Sequence, residues 1–179
     1  MEYQKFTNNR FNNIKLNENA PPKVSEKTYS IVKQNFANPQ DIDQNNLLVF
    51  ENNLSLETTD FKDNKFKKVY LVSNKNENRS IKLSEKVVEF KSHLTKDQEQ
   101  RLKDQSIDCE IIDVSEVKEI GENIISLYPT VGENLDYLNS NTIKLNFLYR
   151  DLDRFSWQYC NKGFFNFKNY IPKIITMFT

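Results

Sequence analysis

Five short apolar runs stand out from a chain that is otherwise polar and rich in Asn. Leu47-Leu48-Val49-Phe50 is the first, held between Asn on one side and Glu-Asn-Asn on the other. Val69-Tyr70-Leu71-Val72 is the second and passes into Ser-Asn-Lys-Asn. Cys109 to Val114, Ile124 to Tyr128 and Ile143 to Tyr149 complete the set. Near-continuous apolar runs of four to seven residues suit strands buried on both faces, the habit of a parallel sheet.

The intervals carry a helical period. Leu83, Val87, Phe90 and Leu94 recur at spacings of 4, 3 and 4, among Lys82, Glu85, Lys86, Glu89 and Lys96. That pattern predicts an amphipathic helix with this stripe inward. It either continues to Leu102 or gives way to a second helix capped at Thr95-Lys-Asp-Gln98. Ser115 is placed to cap a short helix through Val117 and Ile120, with Gly121 as its stop. Gly132 to Asn141 carries Leu135 and Leu138 on another. Strands alternating with helices predict right-handed βαβ units and a three-layer, Rossmann-like α/β domain of about five mostly parallel strands.

Residues 1–45 lack this regularity. Pro21, Pro22 and Pro39 among Asn, Lys and Gln predict an extended arm, with a short helix at Ser25–Val32. The α/β domain then occupies 46–150 and an aromatic helical tail 151–179. In the tail, Phe164, Phe167, Ile171, Ile174 and Phe178 form one helical stripe that docks on the sheet and buries Phe164 and Phe167. Pro172 weakens that helix or marks a break after Tyr170.

Composition narrows the function. Of 179 residues, 37% are hydrophobic and 12% aromatic, enough for a core of moderate size. Lys+Arg and Asp+Glu balance at 25 each, so no net field draws the chain to nucleic acid or an anionic membrane. No segment nears the ~20 apolar residues of a membrane helix, and the opening MEYQKFTNNRF is too polar for a secretory leader. A cytoplasmic protein is expected. Cys109 and Cys160 form no C-x-x-C pair, and His93 is the only histidine, so a structural zinc site or catalytic triad has no support. With three glycines and no G-x-G-x-x-G or Walker pattern, a conventional phosphate loop is absent.

Remaining chemistry sits at strand ends, where open α/β sheets bind ligands. Those positions are Glu51-Asn52-Asn53, Ser73-Asn74, Asp113 to Ser115 and Pro129 to Gly132. Such residues are also ordinary turn formers. Asp151 and Asp153 follow the fifth strand and are read as starting a turn or capping a helix rather than as an acid–base pair. No catalytic residue is assigned. Trp157, Tyr159, Lys162 and Phe165 form a basic-aromatic set, a candidate partner-facing surface or one on which bases stack.

The tail's wording, Trp157 followed by Lys162-Gly163-Phe164-Phe165-Asn166-Phe167-Lys168 and Ile171-Pro172, resembles the end of certain bacterial photolyase/cryptochrome-like flavoproteins. In that branch a helical FAD-binding region precedes an α/β region. Phe6 to Asn12 is similar to the "T-x-x-R-F-N" close of the FAD region, although Asn13 stands where a Pro is usual. Arg79-Ser80 with Phe90-Lys91 resembles the helix after the second strand. Tyr128-Pro129 with Val131-Gly132 resembles the turn after the fourth. The helical FAD region itself is missing. The resemblance therefore implies an accessory α/β module that packs on a helical FAD-binding partner and offers it an antenna pocket, meeting DNA only indirectly. FAD is expected in the partner and not in the isolated chain. Two readings stand beside this one: a stand-alone small-molecule or nucleotide-binding protein using the strand-end crevice, and a non-functional gene fragment.

Overall fold

A computed structural model describes residues 38–121 and 124–178. The short helix expected at Ser25–Val32, most of the arm, and the Phe6 to Asn12 motif lie outside the described residues. All five apolar runs are strands: β1 Asn46–Phe50, β2 Lys68–Ser73, β3 Cys109–Asp113, β4 Ile124–Leu127 and β5 Asn146–Leu148. They form one sheet in the order β3-β2-β1-β4-β5, and all four pairings are parallel. Leu48 at the centre lies opposite Tyr70 on one side and Ser126 on the other.

The four strand residues after Asn46 are all buried, because β1 is central and both faces of the sheet are covered. Leu47, Val49, Val69, Leu71, Ile125 and Leu127 point to one face, where Leu56 and Phe61 of the β1–β2 crossover meet Leu102. Leu102 belongs to α1, Glu85–Asp104. Leu48, Phe50, Val72 and Ile112 point to the other face, under Val114, Val117 and Leu138. Leu138 belongs to α2, Glu133–Ser140. The crossovers leaving β1 and β2 thus cover one face, and those leaving β3 and β4 the other. This is a doubly wound three-layer α/β fold, whose winding reverses between β1 and β4.

Helix α1 is one continuous helix of 20 residues, so Thr95 to Gln98 caps no second one. Its inward stripe differs from the one expected. Val87, Phe90 and Leu94 are exposed, while Thr95, Gln98 and Leu102 are buried. The buried set has the same helical spacing, and polar partners decide between the two. On that face Lys91 reaches Glu51 at 2.9 Å and Gln98 donates to Glu57 at 3.3 Å, while Leu102 plugs the sheet. Presenting Val87 and Phe90 inward would strand the buried Glu51 carboxylate without Lys91.

The tail is segmented rather than one docked helix: α3 Asp151–Trp157, α4 Phe164–Phe167 and α5 Ile171–Phe178, joined by single 3-10 turns. Gly163, at φ 77°, makes the bend before α4 that a side chain would disfavour. Pro172 sits in the first turn of α5, where its missing N–H costs nothing. Phe164 is 66% exposed, against expectation, and Phe167 is half-buried; of the stripe only Ile174 is buried. With the bend at Gly163, Phe164 no longer shares a helical face with Ile174.

Candidate functional site

The sheet's carboxyl ends gather the polar residues that follow the apolar runs. Glu51 leaves β1 with its N–H still bonded to the Val72 carbonyl, so its side chain is held over the sheet edge. Its Oε1 accepts from Arg79 Nη2 at 2.5 Å and from Lys91 Nζ at 2.9 Å, and its Oε2 accepts the Asn74 N–H at 3.4 Å. The other terminal nitrogen of Arg79 donates to Glu133 in the first turn of α2. Two cations and two carboxylates therefore alternate, which lets Arg79 and Glu51 be almost wholly buried. Beside them three buried polar atoms lack a partner among the described residues: Asn74 Oδ1, Arg79 Nε and Asn134 Oδ1.

Across the winding reversal, Asn52 Nδ2 donates to the Pro129 carbonyl at 2.9 Å and Asn134 Nδ2 donates to Asn52 Oδ1 at 3.4 Å. These bonds tie the ends of β1 and β4 to α2. A cavity of about 190 Å³ opens to one side, between α1 and the ends of β1, β2 and β3. Asp113, at the end of β3, caps the 3-10 turn Val114–Glu119 in place of the expected Ser115. It accepts the Ser115 N–H at 3.0 Å and hydroxyl at 2.6 Å, and the Lys75 N–H at 3.3 Å. Burial pushes its carboxyl up, but these bonds outweigh burial and hold it below the ordinary value of 3.8.

The four aromatic-surface residues are divided between packing and exposure. Trp157 is half-buried, edge-on to Tyr128 at 5.9 Å and to Tyr149 at 6.0 Å. Tyr159 stacks on Tyr170 at 4.2 Å, with Lys173 over its ring. Lys162 and Phe165 face solvent, Phe165 with the Lys168 ammonium 5.3 Å above its ring. Trp157 and Tyr159 thus anchor the tail to the domain and to itself, and Phe165 remains outward beside Phe164.

His93 is exposed on α1, and Asp151 and Asp153 occupy the first turn of α3, paired with Arg154 and Arg150. Among the described residues no His, Cys, Asp and Glu group is arranged to hold a metal, and no helix is long and apolar enough to cross a membrane. Reading the strand ends from sequence found Glu51, Asn52 and Asn74 but missed what Glu51 pairs with. Arg79 and Lys91 lie 28 and 40 positions away, and a lone basic residue before a helix carries no signal of burial. Comparison with known proteins gives no name to this arrangement: no family model, no curated protein and no solved structure matches the chain.

Proposed function

We propose that this chain is the α/β accessory module of a photolyase/cryptochrome-like flavoprotein, packing on a helical FAD-binding partner in light-dependent DNA repair or photoreception, in a cytoplasmic setting. The observation that carries the reading is the apolar surface of the tail. Phe164, Phe165, Ile175 and Met177 are each more than half exposed, on two helices of which only Ile174 is buried. Exposed apolar surface of this density marks interaction sites. Residues that carry the resemblance meet one another in the fold: Arg79 and Lys91 converge on Glu51, and Tyr128 joins Trp157 in the aromatic cluster. The α/β part supplies the module and the partner supplies FAD.

The test is co-expression with the helical FAD-binding domain of a photolyase-like flavoprotein, with the chain alone as control. The chain alone is expected to be colourless, and the mixture to elute from gel filtration as one yellow complex. Flavin absorption that stays with the isolated chain, or failure of the two to co-elute, overturns the reading.

A further inference from the structure

The cavity beside Glu51 is a second site, independent of the tail surface. Four basic side chains line it (Lys75, Arg79, Lys91 and Lys96) against one carboxylate, Glu51. Glu51 is already neutralised by Arg79 and Lys91. Lys75 and Lys96 are exposed and form no salt bridge among the described residues, and Asp113 interacts electrostatically with Lys75. In a chain of zero net charge this is a local excess of cations at the carboxyl end of a parallel sheet.

Arg79 and Asn74, both more than nine-tenths buried, close the inner wall of the cavity. The rest of the wall combines Val88, Ile111 and the lysine stems with the small side chains of Ser73, Ser92 and Thr95. The cavity, about 190 Å³, is smaller than the roughly 300–1,000 Å³ of pockets for drug-sized ligands, so a flavin-sized chromophore does not fit.

We propose that this cavity binds a small organic anion, a phosphate monoester or a carboxylate, with Lys75 and Lys96 on the charged group and the carbon skeleton over Val88 and Ile111. The site binds and does no chemistry.

The experiment is calorimetric titration of the full chain with glycerol 3-phosphate, phenyl phosphate, citrate and inorganic phosphate, with glycerol as the neutral control. At least one organic anion is expected to bind more tightly than inorganic phosphate, with affinity that falls as salt rises. The exposed pair K75A/K96A is expected to weaken that binding by roughly tenfold or more with the thermal midpoint unchanged. Val88→Phe fills the cavity and is expected to abolish binding by the still-folded chain. Absence of binding for every anion, binding unchanged in K75A/K96A, or binding retained in Val88→Phe overturns the proposal. The tail surface is untouched by these substitutions, so its co-elution test stands or fails separately.

Discussion

Arg79 donates to Glu51 at 2.5 Å although the two lie 28 residues apart, and neither side chain is more than 4% exposed. The pair joins the loop before α1 to the end of the central strand, and Glu133 extends it to α2. Removing one partner leaves the other buried charge with one opposite charge in place of two, Lys91 for Glu51 or Glu133 for Arg79, and breaking a buried pair costs up to about 3–5 kcal/mol. Arg79→Met and Glu51→Gln are therefore each expected to lower the urea midpoint severely. The double variant Glu51→Met/Arg79→Met is expected to recover part of the loss, since no charge is then stranded at that point. Single variants as stable as the parent would show that the tetrad does not hold the fold together.

Helix α1 makes the opposite prediction for two stripes of similar spacing. Val87, Phe90 and Leu94 are exposed, so replacing any of them with Ser is expected to change stability by no more than about 0.5 kcal/mol. Leu102→Ala, in contrast, empties a packed site and is expected to cost about 2–5 kcal/mol. Denaturant unfolding of the four variants checks both halves. A large loss at Phe90 with none at Leu102 would mean that the helix is rotated.

The same helix shows how far the pattern of apolar residues reaches. The five runs located every strand among the described residues, because a strand covered on both faces must be apolar at consecutive positions. The stripe on α1 was misread because hydropathy does not record that a buried carboxylate on another element needs Lys91. Asp113 was missed as a cap for a related reason. It ends an apolar run, and only the structure reveals that its side chain turns back onto Ser115. Strand Ile143 to Tyr149 was overlong: Asn146–Leu148 alone pairs, since β4 offers only Ile125 to Leu127 as partners. The polar tetrad is a long-range construction, and no local window contains it.

Asp113 gives a pH-dependent prediction. Its folded carboxyl lies below the ordinary 3.8, so folding is favoured by the ionised form. That contribution is fully present above the unfolded value of about 4 and is lost as pH falls through the lower folded value. Asp113→Asn is therefore expected to lose stability at neutral pH, with the gap to the parent closing below about pH 4. Thermal midpoints of both proteins between neutral pH and about pH 3 measure it. A gap that stays constant with pH would assign the loss to packing instead of charge.

The tail separates folding from recognition. Ile174 is buried, so Ile174→Ala is expected to cost about 2–5 kcal/mol. Phe164 and Phe165 touch each other edge-on at 5.9 Å and otherwise face solvent, at 66% and 78% exposure. Their joint replacement by Ser is expected to leave the urea midpoint within about 0.5 kcal/mol of the parent. If the tail is where a helical FAD-binding partner sits, the same double variant is expected to weaken the complex by at least about 2 kcal/mol, or roughly thirtyfold in Kd. Aromatic side chains that are idle in the free chain but central in a complex produce this split between stability and affinity. Lys162→Ala, at the rim, is expected to change affinity far less, because an exposed charge gives up little when it is removed. A double variant that binds the partner as tightly as the parent would move the interface elsewhere, with the exposed Val87, Phe90 and Leu94 face of α1 the next to test.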